Sequence, residues 1–279
     1  MKCRVCEAPT ALCVDRGDVA LHRCSMCAFV SGWPAQAVDP ERRYERYYDR
    51  SIPTSPNARY HEWLARAEAL VGRGRLLEVG AGSGGFVLVA LNRGWDVSAT
   101  ELSKSALDGL RATGATVFPG DVTAARYPDG CFDLVASLEV VEHLPTPLAH
   151  LTELCRVTRP GGLLLLTTPN FNGLSRRYLG ARWRVIDPEH LGYFTRSTLS
   201  STLRRAGYRD VRVTSRSLDI LSWRQGSGPA GAREFDAHAS ARLRHTIEVS
   251  TVLRRGKMAA NGVLRITGLG DSLLAWAGR

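Results

Sequence analysis

Along this 279-residue chain, short apolar runs alternate with stretches of helical spacing. Arg75–Gly80, Asp96–Glu101, Thr116–Asp121, Cys131–Leu138, Leu163–Thr168 and Val211–Ser217 read as strands. The first is apolar enough to be a buried parallel strand, and the fifth is expected at the centre of the sheet. Phe86–Asn92 and Ser103–Ala112 read as helices, and another helix starts at Thr146 or Pro147. Arg159–Gly162 reads as a turn. A seventh strand, antiparallel and last in the sheet, is expected over Asp271–Arg279. Such alternation predicts an α/β fold, a doubly wound seven-stranded sheet.

Before the sheet, Arg59–Val71 has Tyr60, Trp63, Leu64, Ala67 and Leu70 at helical spacing, and is expected to pack on the sheet edge. From Ser31 to Pro40, Gly32, Pro34 and Pro40 give the expectation of a linker. Asp39 is placed to cap a helix carrying E-R-R-Y-E-R-Y-Y, with Pro40 at its first position. Tyr44, Tyr47 and Tyr48 share a face of it, suited to core packing or to a lid. After the sixth strand comes a Gly/Pro/Ser-rich break, then an amphipathic basic helix over Ala241–Met258. A substrate cap or a homodimer contact suits this helix better than a membrane surface. The organisation expected is 1–33, a metal ribbon; 34–71, linker and helices; and 72–279, the α/β domain, with a helical insertion at about 218–270.

Cys3 and Cys6 form one C-x-x-C pair and Cys24 and Cys27 a second. Two thiolate pairs at this separation fit a zinc ribbon, each short turn directing two sulfurs at one tetrahedral ion. Four thiolates leave no open position, so the zinc is expected to be structural. Cys13, on the intervening hairpin, is surplus.

Composition narrows the setting. Hydrophobic content of 44% and charged content of 23% are those of a globular chain. No apolar run is long enough for a membrane span, and the cysteine-bearing N-terminus lacks a signal-peptide core, so a cytoplasmic location is expected. The net charge is +10, and Lys2, Lys104 and Lys257 are the only lysines. The arginine surplus permits RNA as a partner, but the arginines are dispersed rather than clustered.

The stretch Leu76–Phe86, L-L-E-V-G-A-G-S-G-G-F, ends a strand, bares the backbone and opens a helix. Gly80, Gly82 and Gly85 satisfy the dinucleotide spacing G-x-G-x-x-G, a weak signal alone. Together, E-V-G-A-G-S-G, S-x-x-E-V-V-E-H-L (Ser137–Leu144) and R-P-G-G-L-L-L-L-T-T-P-N (Arg159–Asn170) resemble the class I S-adenosylmethionine (SAM) methyltransferases. The similarity is to the small-molecule, ubiquinone-pathway-like group, in a subgroup with an N-terminal zinc ribbon. That subgroup carries a stretch like Pro188–Tyr208 after strand five.

The resemblance implies a Rossmann-like fold and SAM as cofactor. It places the cofactor against Glu78, Gly80, Ala81, Gly82, Gly84, Glu101, Leu102, Asp121, Val122 and Leu138. Glu78 would organise the methionine end, Glu101 the ribose hydroxyls and Asp121 the adenine amino group. The acceptor is expected to be a small molecule: a sugar, quinone precursor or secondary metabolite, methylated at a hydroxyl or carbon. His143 is the first candidate for the base, with Glu142 orienting it or lining the pocket; His190 is the second. The alternatives are an RNA methyltransferase gripping RNA with ribbon and arginines, and an inactive SAM-binding interaction module. Neither a D/N-P-P-Y/F motif nor a catalytic-cysteine motif is present to support base methylation.

Overall fold

The computed structural model describes residues 1–36, 58–218 and 261–279. The helices expected around Tyr44–Tyr48 and over Ala241–Met258 lie outside the described residues. Two compact units are distinguished. One takes residues 58–167, 200–212 and 275–279; the other takes 1–36, 168–199, 213–218 and 261–274.

The strands of the main sheet are β4 (Arg75–Val79), β5 (Asp96–Glu101), β6 (Thr116–Pro119), β7 (Phe132–Leu138), β8 (Thr158–Pro169), β10 (Arg209–Arg216) and β11 (Ser272–Gly278). Their spatial order is β10-β11-β8-β7-β4-β5-β6. The pairs β4–β5, β4–β7, β5–β6 and β7–β8 are parallel. β11 runs antiparallel to β8: Gly161 N–H donates to the Arg279 carbonyl at one end, and Asn170 N–H to the Asp271 carbonyl at the other. Last along the chain, β11 is not last across the sheet, because β10 lies outside it. Five of its seven residues are buried accordingly.

Between the strands lie α1 (Ala58–Val71), α2 (Gly85–Asn92), α3 (Lys104–Arg111) and α4 (Pro147–Val157). α1 buries Trp63, Leu64 and Ala67, as its spacing predicts. It packs on α2 and on the inner strand β7, not on the sheet edge, and the Tyr60 ring meets Phe86 edge-on at 5.3 Å. Glu68 of α1 pairs with Arg93 at 2.7 Å and accepts from the Trp95 indole at 3.2 Å.

The run expected to turn at Arg159–Gly162 is the start of β8 instead. Gly162 there has no room for a Cβ, which would lie 3.0 Å from the Asp133 and Arg159 carbonyl oxygens. The β7–β8 register slips here, with Phe132 opposite Thr158 but Leu134 opposite Leu163, so the expected break is a bulge within the strand.

The other unit begins with β1 (Thr10–Asp15), β2 (Val19–Cys24) and β3 (Val30–Pro34), an antiparallel meander. Its fourth strand comes from far along the chain: β9 (Gly192–Tyr193) pairs with β3. Gly32 makes this possible, since a Cβ there would collide with the His190 carbonyl oxygen. Val19, Leu21 and Val30 share one apolar cluster with Phe171, Leu179, Trp183, Ile186 and Tyr193. The segment after β8 also carries α5 (Leu174–Leu179), and α6 (Arg196–Arg205) follows β9.

Candidate functional site

β4, β5 and β6 step outward to one side, and β7 then pairs on the other side of β4. This reversal opens a crevice beyond the carboxyl ends of β4 and β7, where doubly wound sheets bind their ligands. Gly80 (φ 67°), Gly82 (φ 54°) and Gly84 (φ 76°) line the exit of β4 in left-handed conformations. Gly84 immediately precedes α2. The Gly80 and Ala81 N–H groups donate to the Thr100 carbonyl at 2.9 and 3.1 Å, folding the loop over β5. A Cβ on Gly80 would lie 2.7 Å from Cγ2 of Val140, in the segment leaving β7. Beside it, Glu139 is a non-glycine residue at φ 57°, a conformation that concentrates at functional sites.

Two carboxylates serve this loop differently. Glu101, ending β5, is buried and accepts the Gly82 N–H at 2.7 Å on one oxygen. Its other oxygen accepts the N–H groups of Leu102 at 2.8 Å and Ser103 at 2.7 Å. Beyond the ribose role expected for it, Glu101 therefore organises the loop. Glu78, on β4, is also buried, and its Oε2 has no hydrogen-bond partner. Burial, then the neighbouring Glu101 charge, raises the Glu78 pKa well above the usual carboxylate range, against a backbone hydrogen bond with Val87. A buried acceptor without a donor is costly, and a cationic ligand group would relieve it.

The remaining expected positions are placed unevenly. Ala81 and Val122 are buried, Leu138 is half-buried at the end of β7, and Leu102 is exposed. Asp121 lies two residues beyond β6, and its Oδ1 accepts the Thr123 N–H at 2.8 Å. Its Oδ2 lies 3.9 Å from Nδ1 of His150, a buried α4 side chain that the sequence did not single out. Burial lowers the His150 pKa against the opposing pull of Asp121 and Glu153, so this ring is neutral near pH 7. Ser137, fully buried on β7, holds a second unpartnered oxygen.

Glu142 and His143 form a single 3₁₀ turn, Val141–His143, just past β7. Glu142 is buried and His143 is half-buried. His190 belongs to the other unit. Its Nδ1 lies 2.6 Å from the Val185 carbonyl and 2.9 Å from Asp187 Oδ2. A carbonyl only accepts, so Nδ1 carries the proton and Nε2 is the acceptor nitrogen. Burial alone would raise the Asp187 carboxyl, but His190 and backbone N–H groups hold it below its ordinary value. Asp187 was readable in principle, three residues ahead of the histidine in D-P-E-H.

In the ribbon, Cys3 and Cys24 are buried, and Cys6 and Cys27 are half-buried. Their sulfurs approach to 3.6 Å for Cys3–Cys27 and 3.4 Å for Cys6–Cys24 and Cys6–Cys27. All four lie within 4.8 Å of one another. A tetrahedron with metal–sulfur bonds of about 2.3 Å has edges of roughly 3.8 Å, so the cluster matches zinc geometry. The Val5 N–H donates to Cys3 Sγ, and the Met26 and Cys27 N–H groups to Cys24 Sγ, all at 3.4 Å. Such donors favour thiolates.

Comparisons with known proteins agree with this geometry. A family model described as a methyltransferase domain matches residues 44–213. A malonyl-[acyl-carrier protein] O-methyltransferase of Serratia marcescens is 34% identical over 172 residues, 54% of this chain and 67% of that protein. A ubiquinone biosynthesis O-methyltransferase of Pseudomonas aeruginosa is 27% identical over 205 residues, 70% of this chain and 82% of its own. A tRNA U34 carboxymethyltransferase of Methylococcus capsulatus is 33% identical over 169 residues, 57% of this chain and 52% of that protein. In structure, a SAM-dependent methyltransferase from Archaeoglobus fulgidus superposes with a TM-score of 0.55 at 18% identity, covering 86% of this chain and all of that one. At that identity the likeness speaks for the fold alone.

Proposed function

We propose that this chain, which belongs to the SAM-dependent methyltransferases and is an enzyme of that class, methylates a hydroxyl or an acidic carbon of a small-molecule acceptor. The observation that carries the cofactor assignment is the partnerless Glu78 oxygen, buried beside a glycine loop that a side chain would fill. SAM, when bound, supplies an electrophilic methyl group on a positively charged sulfur. In this reading Glu78 would receive its ammonium group, Glu101 its ribose hydroxyls and Asp121 its adenine edge. Gly80, Gly82 and Gly84 let the backbone approach. The protein's remaining tasks are to align the acceptor, exclude water and take the acceptor's proton.

For that proton, His190 is one candidate base. Val185 and Asp187 fix its tautomer, with the proton on Nδ1. His143, beside the exit of β7, is the other candidate, with Glu142 next to it. Cys3, Cys6, Cys24 and Cys27 would hold zinc, which supplies a structural cross-link and no reaction step.

The test has two parts. Calorimetry with SAM should show 1:1 binding that Glu78→Ala weakens by at least about tenfold, the scale of one lost charge-assisted hydrogen bond. Turnover should then appear on a panel of phenols, hydroxy acids and sugars. Unchanged binding by Glu78→Ala would overturn the cofactor assignment. Transfer to tRNA but to none of the small molecules would replace the acceptor class.

A further inference from the structure

Cys13 has no part in the metal cluster, and its surroundings are unusual. The β1–β2 register slips between Leu12 and Val14, leaving Cys13 as the extra residue of a β-bulge. Bulges re-aim side chains, and the Cys13 thiol donates to the Leu21 carbonyl at 3.3 Å. The arginines closest to it electrostatically are Arg23 of β2 and Arg176 of α5.

These two arginines share one aromatic platform. The Arg176 guanidinium lies 4.7 Å from the Phe171 ring centre, and that of Arg23 lies 5.9 Å from the same ring. Phe171 is itself buried and held edge-on to Tyr193 at 5.6 Å. Arg176 is partly buried, and its Nε has no hydrogen-bond partner. Among the described residues, neither guanidinium has a carboxylate partner. The local sequence supplies none: Thr168–Ile186 contains Arg176, Arg177, Arg182 and Arg184 and no acidic residue. Two like charges on one ring, one with a buried idle donor, repel each other unless an anion lies between them. Burial, together with Arg23, accordingly lowers the Arg176 pKa.

The geometry points to an anion subsite in which Arg23 and Arg176, backed by Phe171, bind a phosphoryl group with Cys13 at its rim. A guanidinium fork matches phosphate oxygens, and two forks balance a dianion. The ribbon supplies Arg23 and Cys13, and the segment after β8 supplies Arg176 and Phe171, so neither part makes the site alone. The subsite is independent of the SAM site and takes either free phosphate or the phosphate of a larger molecule.

Cys13 is exposed and serves as the reporter. Burial raises the Cys13 pKa and both arginines oppose that rise, so the thiolate through which iodoacetamide alkylates depends on them. With the full chain at constant ionic strength, site-resolved mass spectrometry would follow Cys13 carbamidomethylation against inorganic phosphate and, separately, glycerol phosphate. The expected result is a saturable slowing of about 3- to 10-fold, since a bound anion offsets the arginines and covers the thiol. Arg23→Gln, at an exposed position, and Arg176→Gln should each slow the basal reaction and abolish the phosphate dependence, while tryptophan fluorescence reports intact folding. Lower half-saturation by glycerol phosphate assigns the site to a phosphorylated molecule; lower half-saturation by inorganic phosphate assigns it to the free ion. Slowing that chloride reproduces, or that survives in folded Arg23→Gln and Arg176→Gln, overturns the proposal.

Discussion

Gly80→Ala adds a single methyl group at the exit of β4, and two effects of it are readable from the structure. At φ 67° the alanine occupies the left-handed region, costing about 1–2 kcal/mol. Its Cβ also meets Val140 Cγ2 at 2.7 Å. Contact at that range forces a shift of the β7 exit, and such overpacking costs about 1–3 kcal/mol. Together they predict a loss of about 2–5 kcal/mol, or a melting temperature lower by roughly 4–20 °C in a chain of this size. Val140→Ala removes the opposing methyl groups. The double variant Gly80→Ala/Val140→Ala should therefore recover the steric share and keep the conformational share. That gives a coupling of about 1 kcal/mol or more in a double-mutant cycle. The assay is chemical denaturation of the four proteins, with SAM affinity measured on each. A Gly80→Ala protein melting within a degree of wild type, or strict additivity with Val140→Ala, would refute the close approach.

Three further outcomes are expected. Because Glu78 has a folded pKa raised above its ordinary 4.5, its contribution is fully present below about pH 4.5 and is lost as pH rises beyond it; Glu78→Gln should flatten that decline in ligand-free melting curves, and parallel curves would contradict the burial argument. Removing zinc with a strong chelator, or Cys24→Ser, should release about one metal equivalent and unfold the ribbon; metal analysis showing no zinc in the purified protein would end that assignment. His190→Gln should lower kcat by about 10²–10⁴ with SAM affinity unchanged, and Asp187→Asn should shift the acid limb of the pH–rate profile; near-normal turnover by His190→Gln would move the base to His143.

Local pattern carried most of the sheet, because central strands such as Leu76–Val79, interrupted only by Glu78, and Leu163–Leu166 are nearly all apolar. It failed where structure depends on distant partners. The glycines at 161 and 162 look like a turn, yet they sit inside β8, where Gly162 faces the Asp133 backbone too closely for a side chain. The two residues of β9 are too few to show any periodicity, and only β3 makes them a strand. The placement of β11 inside β10 is likewise a matter of sheet order, which no local signal encodes. At the site, the glycines and acids were legible because their chemistry requires those residue types. Val140, Ser137 and His150 were not, since an ordinary valine, serine or helical histidine acquires a role only from what faces it.

β9 also bears on how the chain can be divided. A small cysteine ribbon ahead of the main sheet looks like an accessory that could be omitted. Here its third strand is the template on which Gly192–Tyr193 is ordered, and Val19, Leu21 and Val30 cover Phe171, Trp183 and Tyr193. Deleting residues 1–36 would unmask those aromatic rings and leave a raw strand edge, the combination that promotes aggregation. Ribbon and segment are thus one folding unit, although more than 130 residues of chain separate them.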